Sequence, residues 1–344
     1  MKTSPPVLAT IWRGRVQEAA VRGHAAVVDA DGTLLGAIGD PELVVPLRSC
    51  VKPIQAFPFV ELAADEIGAT SEEVAVSCAS HYGEDIHVAT VRRLLARVRL
   101  DETSLACGPQ LPFDPASARR LLAAGMAPQR IHNNCSGKHA GMLAACVVAG
   151  WPVQGYANRD HPCQQAVEAA LARLLDVGLE AAPSGIDGCG LPTFGVPLTA
   201  LARAFAAGQR ENPFQRCQEA MAGHPPLVAG TGAFDTELLA CAGDRITAKI
   251  GGAALWVAVL RPLGVGIALK LEAGAGEAIP PIAVAILQRL GALPPALAAA
   301  LEPFGRPPLR NWEGTVVGET RVEPAALEAL TPVVRAPIVP KEEC

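Results

Sequence analysis

The sequence predicts an α+β (mixed α/β) fold: an antiparallel sheet assembled from the two ends of the chain, with a mainly helical insertion between them. Two patterns carry this expectation. Short apolar runs broken by Gly, Pro and Asp turns fill 7–38 and return at 245–271, whereas the residues between them place apolar side chains at helical spacing. Length adds a third constraint, because 344 residues lie near the size at which one core stops growing. With no internal repeat and no long linker, one domain over 1–344 is expected, its sheet portion at about 1–50 and 245–344 and its helical portion at about 51–244.

Taken in order, 7–12, 25–29 and 33–38 read as strands, the last two joined through Asp29-Ala30-Asp31-Gly32, a hairpin signal. After Pro46 the character changes to helix, at 53–64, 84–98, 116–124, 137–148, 163–175, 198–207, 214–221 and 236–241. Strands are expected again at 245–250, 254–260 and 265–271, separated by Gly and Pro turns as in an antiparallel meander, before a helix at 278–290.

Composition narrows the function. Half the residues are hydrophobic and the net charge is −5, with no Lys/Arg block or basic stripe, so there is no electrostatic footprint for nucleic acid or an anionic membrane. The most apolar stretches, 140–150 and 253–260, are too short to span a bilayer. Pro5, Pro6, Arg13 and Arg15 interrupt the opening residues, so no signal peptide is expected, and ten Cys then suggest reduced thiols in the cytoplasm.

The basic residues are 23 Arg and only six Lys. Lys should persist where Arg cannot serve, which is where an amine must lose its proton to act as a base or ligand. Three of the four Lys away from the termini fall inside chemically suggestive motifs. In Arg48-Ser49-Cys50-Val51-Lys52 the serine and lysine are three apart at the start of a helix opened by Pro53, so one face can carry a nucleophile and its base. Alone this pattern is common. Ser77-Cys78-Ala79-Ser80-His81 follows with a second hydroxyl, and Lys249-Ile250-Gly251 ends a late strand, giving the chain order of serine β-lactamases and penicillin-binding proteins. No S-D-N is present, and Ile250 stands where that pattern has Thr.

A second constellation involves sulfur. Cys135 and Lys138 are three apart at the start of a helix, and Cys189 sits in the Gly-rich turn Asp187-Gly188-Cys189-Gly190. Two thiolates suit a borderline cation such as zinc, with His139 as the conventional nitrogen donor and Lys138 as the unusual one. Spacing alone does not make this a zinc motif, and buried structural cysteines are the plainer alternative.

Together, RSCVKP (48–53), SCASHYGE (77–84), HNNCSGKHAGML (132–143), DGCGLPTF (187–194), GHPPLVAGTGAFDT (223–236) and TAKIGG (247–252) resemble the asparaginase II family, over nearly the whole chain as far as residue 271. The resemblance implies a fold like serine β-lactamases and glutaminases, a homodimer, and hydrolysis of L-asparagine to aspartate and ammonia. It implies tandem catalytic pairs, Ser49 with Lys52 and Ser80 with Lys249, and one zinc per subunit held by Cys135, Lys138 and Cys189 beside Asp187. Arg48, His139, Asp187 and Gly252 are the expected substrate-binding positions. The competing expectations are a cytoplasmic serine hydrolase of another small amide or lactam, and a non-catalytic module that binds an amino acid or zinc.

Overall fold

The computed structural model describes residues 4–274 and 276–334. Eleven strands are present among them: β1 (Val7–Arg13), β2 (Val16–Val28), β3 (Leu34–Ile38), β4 (Val44–Pro46), β5 (Ser184–Ile186), β6 (Pro192–Pro197), β7 (Ile246–Gly251), β8 (Leu255–Leu260), β9 (Val265–Leu271), β10 (Pro308–Arg310) and β11 (Val316–Val322). Eight of them form one antiparallel sheet in the order β10-β11-β1-β2-β9-β8-β7, with β3 also paired to β2. The sheet is therefore built from the N- and C-terminal segments with helices inserted between, as expected.

Burial explains why its central strands read as unbroken apolar runs. Every residue of β8 is buried, which requires cover on both faces. Alternation then sends successive side chains to different cores. Ala26, Val28, Val257, Val259 and Ala268 join the large cluster with the inserted helices. Ala25, Val27, Ala258, Ile267 and Leu269 join a second cluster with the helix Ile279–Arg289.

The helix Leu198–Gly208 lies directly on β2, β8 and β9. Gly266 makes this approach possible, since a Cβ there would sit 1.9 Å from the Ala202 carbonyl oxygen. Gly266→Ala is expected to push the helix off the sheet and destabilise the protein by about 3 kcal/mol, a value that denaturant unfolding can check.

Several elements depart from the expectation for identifiable reasons. Strand β2 starts at Val16 because the chain turns tightly at Gly14; residues 16–20 are exposed, so no alternation betrays them. The 53–64 segment is two short helices, Lys52–Gln55 and Phe57–Leu62, each opened by its own proline. A helix at Ser71–Ser77 was not anticipated, although its capping box of Thr70 and Glu73 is legible in the sequence. A small second sheet, β4-β6-β5, is also present; its strands lack a strand signature because β4 and β5 are only three residues long and β4 and β6 carry Pro. Strands β10 and β11 add to the far edge of the main sheet, and the expected sheet portion beyond 334 lies outside the described residues. Among the described residues no helix is long and apolar enough to cross a membrane.

Candidate active site

Three parts of the fold meet around a cavity of about 530 Å³. The small sheet delivers the first, because Leu47 N–H bonds Phe194 O at 2.9 Å and so ties the turn Arg48–Val51 to β6. Arg48 takes a left-handed φ of 48°, a strained conformation for a residue with a side chain, immediately before Ser49. The hairpin of β5 and β6 also carries the turn that holds Asp187 and Cys189. Arg48 Nε lies 2.9 Å from Asp187 Oδ1, an ion pair across the cavity mouth.

The second part is the end of β7. A Cβ on Gly251 would meet Cys50 Sγ at 2.7 Å, and one on Gly252 would meet the Arg48 guanidinium at 2.8 Å. Only glycine lets this strand end close on the Ser49 turn. The third part is helical: the end of Ser71–Ser77, which leads to Ser80, and the start of Ser136–Ala149.

Seven of the eleven expected site residues line the cavity: Arg48, Ser49, Ser80, Cys135, Asp187, Cys189 and Gly252. The other four, Lys52, Lys138, His139 and Lys249, are buried outside its lining. Lys52 is fully buried, and its amine donates to Ala79 O at 2.6 Å, Ser80 Oγ at 3.0 Å and Asn134 O at 3.2 Å. Burial, reinforced by the cations of Lys138 and Lys249 and opposed by the sulfurs of Cys135 and Cys189, lowers its pKa to about 8. An amine with that pKa can be neutral near physiological pH and can accept a proton from Ser80.

Neither expected pairing is present as a hydrogen bond among the described residues. Lys52 spends its three donors on Ser80 and two carbonyls rather than on Ser49, and Lys249 bonds Asp235 and Ile250 O rather than Ser80. Spacing shows which helix face two residues share, but a four-carbon side chain reaches past its neighbour to whatever acceptors the next element offers.

The sulfur cluster does assemble. Lys138 Nζ donates to Cys189 Sγ at 3.4 Å, and the Cys135 thiol donates to Asn134 Oδ1 at 3.5 Å. The neighbouring Cys135 and the Lys138 ammonium lower the Cys189 pKa to about 4. Cys189 in turn, with burial, pushes the Cys135 thiol up to about 12. Burial alone would lower the Lys138 pKa, but the two sulfurs and Asp187 outweigh it and raise it.

His139, the alternative nitrogen donor, is engaged through one ring nitrogen, while its buried Nε2 has no hydrogen-bond partner among the described residues. Its Nδ1 lies 2.7 Å from the Tyr156 hydroxyl, which in turn accepts the Ala106 N–H at 2.9 Å. Burial and the Lys138 charge drive its pKa down to about 3, so it is neutral. Among the described residues no group of three or more His, Cys, Asp and Glu side chains is gathered to hold a metal. The Cys135–Lys138–Cys189 cluster has only two such residues, both Cys, its third donor being an amine.

Sequence reasoning assigned no role to Asp235, Tyr82, Gln110 or Phe113. Asp235 is buried against Lys249, and the other three line the cavity, with Tyr82 and Phe113 packed edge to face. Tyr82 could have been suspected from its place two residues after Ser80. Asp235, one of two acids in the first turn of its helix, gives no signal of its own.

Two solved structures resemble the chain: a candidate β-lactamase from Bacteroides dorei DSM 17855, at 13% identity and TM-score 0.40, covering 73% of this chain and 86% of its own; and a β-lactamase from Mycobacterium bovis, at 15% and 0.37, covering 77% and 94%. A search of the curated proteins found no match. The sequence profile of L-asparaginase II matches residues 9–322, which takes in every cavity-lining residue and the three buried lysines, so the chain belongs to the L-asparaginase II family.

Proposed function

We propose that the protein hydrolyses L-asparagine to L-aspartate and ammonia through an aspartyl ester on Ser49. The observation that carries this reading is the placement of two serine hydroxyls on one small cavity, with a buried amine of lowered pKa bonded to one of them, in a member of this family.

In the first half of the reaction Ser49 Oγ attacks the side-chain amide carbon, and its proton passes through Ser80 to neutral Lys52. The C–N bond then breaks as the same proton returns to the leaving nitrogen, which departs as ammonia. In the second half water attacks the ester, Lys52 and Ser80 take its proton, and that proton goes back to Ser49. The backbone N–H groups of Ser49 and Gly252 are the proposed donors to the oxyanion. Arg48 would bind the substrate α-carboxylate and Asp187 its α-amino group, which matches the charge of each to an end of the amino acid.

Two cysteine sulfurs and a lysine amine, with Lys138 Nζ 3.4 Å from Cys189 Sγ and the Cys189 pKa lowered to about 4, form a donor set that fits zinc. Cys135, Lys138 and Cys189 would hold it, and a bound ion would supply fixed positive charge beside Asp187. One zinc per chain is expected by elemental analysis of the purified protein, and Cys189→Ser should reduce the content to near zero. A cytoplasmic homodimer completes the proposal, from the family resemblance and the ten cysteines.

Ammonia release from asparagine, compared with release from glutamine and with cleavage of nitrocefin, tests the function. Asparagine should be strongly preferred. Preference for glutamine or the lactam would transfer the site to another amide hydrolase, and thermal stabilisation by asparagine without ammonia would mark a binding module.

A further inference from the structure

We propose that Asp235 is the positioning residue of the cavity's β7 edge, using one carboxylate oxygen to bind both Lys249 and the Ile250 amide and so holding residues 250–252 beside the two serines. Asp235 stands in the first turn of the helix Phe234–Ala242. An acid there ordinarily serves its own helix end, but that helix has Ala233 at its N-cap and no side-chain cap bond. Instead Asp235 Oδ2 accepts the Ile250 N–H at 2.8 Å and the Lys249 ammonium at 3.4 Å. Lys249 also donates to Ile250 O at 2.9 Å. One buried ion pair therefore takes both main-chain polar groups of a single residue, and that residue lines the cavity with Gly251 and Gly252.

The fold explains why such a clamp is needed. Strand β7 is the last in its sheet, so no further strand supplies partners on its outer side. Beyond it the turn to β8 is strained, with Ala253 and Ala254 at φ of 60° and 53°. An edge strand running into a strained turn moves unless something fixes it.

The pair is also a costly way to fill the space. Asp235 and Lys249 are 2% and 0% exposed, and Asp235 Oδ1 has no hydrogen-bond partner among the described residues. Apolar side chains of similar volume commonly stabilise such a position as well or better. What they cannot do is grip a backbone N–H and C=O together. The two lysines consequently divide the work: Lys52 is placed to move a proton, and Lys249 is tied to the strand.

The kinetic half of the test rests on the proposed asparaginase reading, whereas the exchange half does not. In the full-length protein, Asp235→Asn keeps the side-chain shape and removes the charge, and Asp235→Ala removes both. Amide hydrogen exchange at residues 249–252 should quicken by about tenfold or more in Asp235→Asn, with the helix Ser136–Ala149 unchanged. The kcat for asparagine should fall by roughly 10²-fold with KM within about threefold, as for a misplaced reacting geometry. Adding Lys249→Met to Asp235→Asn should cost little beyond the worse single change, because the two act as one unit. Wild-type exchange at 249–252 in Asp235→Asn would overturn the proposal. So would faster exchange with undiminished kcat, or a fall in thermal midpoint alone. A wild-type protein that releases no ammonia would reject the functional reading and leave the exchange result to decide the positioning role.

Discussion

Ser49→Ala is expected to lower ammonia release from asparagine by roughly 10⁴-fold or more, the scale seen when an activated nucleophile is removed from an enzyme that works through a covalent intermediate. Ser80→Ala should cost less, because Ser80 carries a proton rather than a new bond, and general acid–base steps contribute roughly 10²–10⁴-fold. The difference follows from placement. Ser49 sits in the turn that the Arg48 strain and the Gly251–Gly252 approach present to the cavity, while Ser80 is bonded to Lys52. Purified variants assayed at saturating asparagine would show the order, and a Ser80→Ala loss larger than that of Ser49→Ala would exchange the two roles.

Lys52→Met should be nearly as damaging, by roughly 10³-fold or more in kcat/KM, and Lys52→Arg should not rescue it because a guanidinium does not give up its proton. The wild-type pH profile supplies the sign. With a Lys52 pKa of about 8, the amine is protonated below that pH and cannot accept the Ser80 proton, so kcat/KM should fall about tenfold per pH unit as pH drops below 8 and level off above it. Lys249 is one of the cations that lower this pKa, so Lys249→Met should move the limb to higher pH. A profile flat from pH 6 to 9 would remove Lys52 as the base.

Much of this site was legible before any coordinates. The scarcity of Lys beside plentiful Arg singled out Lys52, Lys138 and Lys249, and all three are buried at or behind the cavity. The amphipathic period gave the helices, and the Gly-separated apolar runs gave β7, β8 and β9 close to their observed bounds.

What failed has a common cause. Pairing depends on where a long side chain ends, and Lys52 reaches Ala79, Ser80 and Asn134, which are supplied by segments remote in the chain. Local spacing cannot encode that. The choice between Lys138 and His139 was open from the sequence for the same reason. Tyr156, 17 residues further on, binds the imidazole Nδ1, while the Lys138 amine bonds Cys189. Asp235 escaped notice because its partners, Lys249 and Ile250, lie 14 and 15 residues ahead on a strand. The small sheet β4-β6-β5 escaped because its strands are short and two of them carry Pro, yet it sets the position of the Ser49 turn through Leu47 and Phe194.

The account turns on a covalent bond to one serine. Rapid acid quench of the enzyme turning over asparagine, followed by peptide mass spectrometry, reads that bond directly. An added aspartyl group on the peptide containing Ser49, absent in Ser49→Ala, is the predicted result. The same group on Ser80, or full turnover in Ser49→Ala, would contradict it.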